Sequence, residues 1–403
     1  MSDIYFDNSA TTKIDDKVLK RMDEFSLNYY ANPSAMHRLG YLVEEEIKKA
    51  TISFADILNV SSKEIIWTSG GTESNNQAII SYVKTHAKEG NRIITTSFEH
   101  PSVLRAFEYL SSIGFEVKYL RLNNNGQIDL NELESLITKE TLLVSIMYVN
   151  NEIGSVQKIN EIGQLIKNKN NNTAFHVDFV QGFGKYKIDC KKSRIDLLSI
   201  SAHKFHGPKG VGILYKNNDI RIMPLILGGG QQNDLRSGTL NTVGIIGTTY
   251  AARLIYDDFE NEVNKLINLK NYLINELLKL NDKYGIIHLN TMISNDFAPH
   301  IVSVSFKGIR SEVMLHALED RGIYVSAGSA CSSHSKKMSN TLNNIGLSKE
   351  YIDSTIRISF GKYNTKDEVD MFINEIDSLI KVLSLKRKWW ELKVLKLSFY
   401  SYL

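Results

Sequence analysis

Lys204 lies in DLLSISAHKFHGPKG, where an apolar run ends and a turn rich in Gly and Pro begins. An amine at the carboxyl end of a strand in an open α/β sheet is well placed to meet a ligand. If its surroundings favour the neutral form, it can condense with an aldehyde cofactor. Taken alone it reads more readily as a solvated lysine beside a turn, so its neighbours decide. Asp178 closes the apolar run AFHVD 26 residues earlier, and Gln181 follows three residues on. An acid at the end of a buried strand needs a partner. It either caps a following helix or pairs with a cationic ligand group such as the ring nitrogen of pyridoxal phosphate, keeping that nitrogen protonated so that the ring accepts electrons. Together with Lys204, the second reading is the stronger.

Three further stretches carry chemistry of the same kind. In SGGTESNNQAII a strand passes into a helix, so Gly70 and Gly71 allow close backbone approach and Thr72 adds a hydroxyl, as in a phosphate cradle or a plain helix start. The sequence lacks the Gly-Lys-Ser/Thr of a Walker loop and the GxGxxG of a dinucleotide fold, which leaves nucleotide binding without support. His100 in SFEHPSVL follows another apolar strand, either as a structural histidine or as a proton-moving group against a ring. Cys331 sits in VSAGSACSSHSKKMSN among small and polar residues, with His334, Lys336 and Lys337 near enough in sequence to favour a thiolate. That is the setting of a reachable nucleophile rather than of a core thiol. Cys190, in KIDCKKSRID, has no acid–base neighbour and reads as structural or incidental.

These residues require a scaffold that brings strand ends together. From about 64 to 215 the runs EIIWT, RIITT, FEVKYL, TLLVSIMYV, AFHVD, DLLSIS and VGILY alternate with helical stretches, which predicts an α/β fold with a mostly parallel sheet. After GGGQQNDLRSGTLN the pattern changes. A long helix over about 257–280, strand IVSVSF, helix SEVMLHALEDRG, strand TIRISFG and a helix from about 365 predict a smaller α+β domain. The expected division is 14–255 for the large domain, with 1–13 and 256–403 forming the small one. NKNNN at 168–172 reads as a surface loop. The tail KRKWWELKVLKLSFYSYL, with Trp389, Trp390, Phe399 and Tyr400, reads as an amphipathic helix docked on its own protein, or as one that binds a partner or a membrane surface.

Composition bounds the rest. With 403 residues and 42% hydrophobic content the chain can bury two cores. Its net charge of +3 is spread without a basic block, so no direct nucleic-acid ligand is expected. No signal-like or membrane-spanning apolar run occurs, and a cytoplasmic protein is expected. Two cysteines are too few for a disulfide framework and lack the spacing of a zinc site, so no metal is expected.

Taken together, DNSATT at 7–12, NPSAMHRLG at 32–40, TSGGTESNN at 68–76, EHPSV at 99–103, VNNEIG at 149–154, HVDFVQ at 176–181, SAHKFHGPKG at 201–210, RSGT at 236–239 and SAGSACSS at 326–333 resemble the cysteine desulfurases. These are fold-type I pyridoxal-phosphate enzymes, and the resemblance is to the group typified by NifS and IscS, over nearly the whole chain. It implies that Lys204 carries the cofactor, Asp178 pairs with the pyridine nitrogen, Gln181 meets the ring oxygen and His100 stacks on the ring. Gly71, Thr72, Ser201 and His203 would hold the phosphate, and Thr239 would reach that of a neighbouring subunit in a homodimer. Asn151 would face cofactor and substrate, and Arg357 the carboxylate of L-cysteine, a task suited to a guanidinium fork. Cys331 would take the sulfur as a persulfide for an acceptor protein, either an IscU-type iron–sulfur scaffold or a tRNA-thiolating enzyme. Phe179 and Val180 stand where the group has small residues, and the stretch after Cys331 lacks a proline often found there. An aminotransferase or selenocysteine lyase of the same fold would share Lys204 and Asp178 without needing the thiol. A scaffold that binds partners without turnover would need none of the set.

Overall fold

The computed structural model describes residues 3–327 and 339–400, with side chains to Leu383. It divides into two units. The larger comprises Ser9–Asn151 and Ser155–Val263, the smaller Met1–Asn8, Glu152–Gly154 and Asn264–Leu403.

The larger unit is built on a seven-stranded sheet. In spatial order its strands are Ile65–Thr68, Gly212–Lys216, Leu197–Ser201, Ala174–Asp178, Thr141–Met147, Arg92–Thr96 and Glu116–Leu120. All run parallel except Gly212–Lys216, which is antiparallel to both neighbours. All but the edge strand Glu116–Leu120 are buried along almost their whole length, as strands covered on both faces are. Successive residues enter different cores: Trp67, Ile94, Val144, Leu198 and Ile213 join a cluster with Phe54, Phe175 and Phe183. Ile66, Ile93, Leu143, Leu197 and Leu214 join one with Ile79, Phe107 and Leu110. This is the two-residue period of a strand made visible. Six parallel strands therefore end at one edge of the sheet, at Thr68, Thr96, Leu120, Met147, Asp178 and Ser201. Ligands of open α/β sheets bind beyond that edge.

A histidine lies deep in the sheet. His176 is fully buried, with Nδ1 2.8 Å from Ser145 Oγ and Nε2 3.0 Å from Ser199 Oγ, so it ties the strands on either side. Burial pushes its pKa down to about 3.

The smaller unit holds a four-stranded antiparallel sheet in the order Ser326–Ala327, Thr355–Ser359, Ile301–Phe306, Ile287–Leu289. Ile4–Tyr5 pairs in parallel with Ile323–Tyr324 beside it. Phe6 packs edge-on against Phe360 and Phe372, in a core shared with Phe306 and Ile376. The helix Lys366–Tyr400 closes the unit, and the side chains of Trp389, Trp390, Phe399 and Tyr400 lie outside the described residues.

The boundaries differ from the expected 14–255 in three places. Ser9–Thr12 belong to the larger unit because they bond Lys204, His203, His206 and Gln181. The larger unit also runs on to Val263, since the helix Thr242–Tyr256 packs on the helices Asp16–Asn28 and Arg38–Leu58 and Phe259 joins the same core. Glu152–Gly154 go with the smaller unit, where the Glu152 carboxylate accepts from the hydroxyls of Ser339 and Thr341.

Candidate active site

At the sheet edge the strand ends bring four groups together. Asp178, 4% exposed, accepts from Asn75 Nδ2 at 2.8 Å on Oδ2 and from the Val180 N–H at 3.0 Å on Oδ1. No helix starts after it, so helix capping is not its role. His100 is the N-cap of the helix Pro101–Ser112, its Nδ1 accepting from the Ser102 N–H at 3.1 Å and lying 2.8 Å from Ser102 Oγ. Burial holds its pKa below the usual value, as does the Lys204 charge, while the Asp178 charge pulls the other way. Lys204 closes the short 3-10 turn Ala202–Lys204 that follows Ser201. Its Nζ donates to the carbonyls of Ser9 at 2.6 Å and Ala10 at 2.8 Å. The Ser9 carbonyl also accepts from Gln181 Nε2 at 3.0 Å, which links the lysine to the loop after Asp178.

The glycines make room beside these groups. A Cβ on Gly71 would come within 2.9 Å of Val180 Cγ2 and 3.4 Å of Ser201 Cβ, and one on Gly212 would fall 2.4 Å from the Gly70 carbonyl carbon. The backbone thus passes close to Ser201 where the helix starting at Gly71 begins. His203 sits nearby in sequence with Nδ1 3.1 Å from Thr11 Oγ1, and burial and the charges of Lys204 and Lys209 push its pKa down to about 4. It is a neutral imidazole at neutral pH.

Comparison with known proteins fits this geometry. Residues 4–372 match the family described as aminotransferase class-V. A NifS/IcsS protein homolog of Lactobacillus delbrueckii subsp. bulgaricus is 41% identical, over 94% of this chain and 98% of its own. The cysteine desulfurase IscS of Rickettsia rickettsii is 40% identical, over 96% and 94%. Among solved structures a NifS-like protein superposes with a TM-score of 0.88 at 39% identity, covering 94% of this chain and all of that one. The chain belongs to the IscS/NifS-like cysteine desulfurases of the class-V aminotransferase family.

Membership in the cysteine desulfurases implies pyridoxal phosphate, and the residues present fit it. Asp178 is a buried carboxylate whose side-chain hydrogen-bond donors are both neutral, so a protonated pyridine nitrogen would supply the missing cation. The Gly70–Gly71 passage leaves space that side chains would fill, next to Ser201. Among the described residues no cluster of His, Cys, Asp and Glu is suited to a metal ion, and no helix is long and apolar enough to cross a membrane.

The other sequence candidates fall as follows. Thr72 and Thr239 are exposed, and Asn151 is half-buried. Arg357 belongs to the smaller unit, 6% exposed, with Nη2 donating to Asp7 Oδ1 at 2.6 Å. Cys331 lies outside the described residues. Cys190 is fully buried, and burial raises its pKa far above the thiol range, as suits a core residue. The sequence reading missed Asn75, Ser102, Glu99 and the Ser9 and Ala10 carbonyls. The motifs TSGGTESNN, EHPSV and DNSATT contained them but gave them no separate role.

Glu99 is buried beside this site. Its Oε1 accepts from the Met147 N–H at 2.9 Å and from Thr96 Oγ1 at 3.0 Å. Burial pushes its pKa up to about 8, with the Asp178 charge adding to the rise. The folded protein therefore keeps a proton on Glu99 that the unfolded chain sheds from about pH 4.5. This contribution to stability is complete below that pH and is lost as pH climbs through about 8. Glu99→Gln removes the titration, so the variant's melting temperature is expected to gain on that of the parent across this window, as a pH series of thermal unfolding would show.

Gly212→Ala places a methyl group against backbone that cannot step aside. A loss of about 1–3 kcal/mol is expected, together with weaker cofactor retention on dialysis. Unchanged unfolding and retention would show that the close approach is not needed.

Proposed function

We propose that the chain takes sulfur from L-cysteine, releasing alanine and leaving a persulfide on Cys331. The observation that carries this reading is the convergence of the Lys204 amine, the Asp178 carboxylate and the His100 ring at one sheet edge, in a chain of this family.

Pyridoxal phosphate, when bound, supplies an electron sink for the substrate carbon that loses its proton. Asp178 would pair with the pyridine nitrogen and keep it protonated, Gln181 would meet the ring oxygen and His100 would stack on the ring. Gly71, Thr72, Ser201 and His203 would hold the phosphate, joined by Thr239 of a second copy in a homodimer. Arg357 and Asn151 take the substrate carboxylate, and Lys204 removes and returns protons at the substrate. The Cys331 thiolate attacks the substrate sulfur. A carbon–sulfur bond breaks, a sulfur–sulfur bond forms, and the carbon fragment takes up a proton and leaves as alanine. The persulfide then passes to an acceptor protein, an IscU-type scaffold or a tRNA-thiolating enzyme.

The test is stoichiometric. Purified protein given L-cysteine and a thiol reductant is expected to release alanine and sulfide in equal amounts. Without reductant, the Cys331 peptide should gain the mass of one sulfur. Release of another keto or amino product, with no mass gain, would assign the site to a different reaction of this fold.

A further inference from the structure

Behind His100 lies a buried chain of hydrogen bonds that the reaction as described does not use. Asn75 Nδ2 stands 2.8 Å from Asp178 Oδ2 and 2.9 Å from Ser102 Oγ, and Ser102 Oγ stands 2.8 Å from His100 Nδ1. Asn75 is 1% exposed and Ser102 7%.

The direction of every bond follows from the ends. An ionised carboxylate only accepts, so the Asn75 amide must turn its NH2 group toward Asp178. The second hydrogen of that group goes to Ser102 Oγ, which leaves the serine proton free to point at His100. At the other end the Ser102 backbone N–H, which can only donate, is directed at the same Nδ1 from 3.1 Å. Nδ1 thus faces two donors and must present its lone pair. Burial in the same place disfavours a second proton on the ring.

We propose that Asn75 and Ser102 are positioning residues that fix His100 in the tautomer carrying its proton on Nε2. This rests on the role given to His100 above and sharpens it. In that tautomer Nε2 donates and has no lone pair to accept, so His100 in the resting enzyme is a hydrogen-bond donor toward the substrate. The first proton taken from the substrate then falls to Lys204. The chain also ties the orientation of the His100 ring to Asp178, the carboxylate that would pair with the cofactor's ring nitrogen.

The test reads the tautomer directly. Holoenzyme labelled with 15N-histidine contains ten histidines, and the His100 signals are assigned by their loss in His100→Gln. Long-range proton–nitrogen correlation is expected to show an unprotonated Nδ1 and a protonated Nε2 in the parent. In Ser102→Ala the hydroxyl donor is gone and only the backbone N–H remains on Nδ1, so the Nε2–H tautomer should lose part of its population. The kcat for alanine release should fall about tenfold, the size expected for one lost hydrogen bond, with KM little changed. Ser102→Thr, which keeps the hydroxyl, should restore both. A protonated Nδ1 in the parent would overturn the proposal, as would a Ser102→Ala variant with parental tautomer and kcat. The tautomer is measured whether or not the protein turns over L-cysteine, so failure of the desulfurase reading would be seen separately, as absence of alanine.

Discussion

Lys204→Ala is expected to lower alanine release from L-cysteine by about 10⁴-fold or more, because one substitution removes both the cofactor's covalent anchor and the group that moves the substrate proton. The fold should survive. The amine's bonds to the Ser9 and Ala10 carbonyls lie in a partly open setting, where their loss costs on the order of 1 kcal/mol each. Borohydride treatment followed by mass analysis separates the two losses. The parent should retain the cofactor's mass on the peptide containing Lys204, and the variant should not. A variant that unfolds would be detected by its melting temperature, and one that still forms alanine at a tenth of the parental rate would remove Lys204 from the chemistry.

Cys331→Ala is expected to abolish sulfur transfer in a different way. Alanine and sulfide release should fall by about 10²-fold or more, since no thiolate remains to accept the substrate sulfur. The borohydride-stabilised link at Lys204 should persist at parental yield. This pattern divides the two residues by step: one holds the cofactor, the other takes the sulfur. Cys190→Ala provides the contrast, because that thiol is fully buried with its pKa raised by burial. It should keep parental turnover, and a loss of activity equal to that of Cys331→Ala would reverse the assignment of the two thiols.

The parts of the site that could be read in the sequence are those whose side-chain type is unusual for its place. A lysine and an aspartate at the ends of apolar runs stand out, and strand runs such as AFHVD and LLSIS were legible because burial on both faces keeps most of their residues apolar. Asn75 and Ser102 were not legible as partners, since an amide and a hydroxyl near a helix start are common whatever they bond. The Ser9 and Ala10 carbonyls had no signal at all, because every residue carries a carbonyl and only tertiary structure brings these two to Lys204. The unit boundaries were misplaced for a similar reason. The change from strand–helix alternation to long helices marks where the pattern ends, but the helix Thr242–Tyr256 and the stretch to Val263 belong with the first pattern by packing.

His176, strung between Ser145 and Ser199, has a consequence for the protein's tolerance of acid and base. The unfolded chain protonates this residue below about pH 6.5, while the folded sheet refuses the proton down to about pH 3, so His176 tilts the stability curve upward with rising pH over that span. Glu99 tilts it downward from about pH 4.5 to about pH 8. Where the spans overlap, between about pH 4.5 and 6.5, the two slopes are equal and opposite. A titration of unfolding free energy should therefore show, from this pair, a level shelf flanked by a fall on each side, and Glu99→Gln should turn the shelf into a ramp that climbs to about pH 6.5.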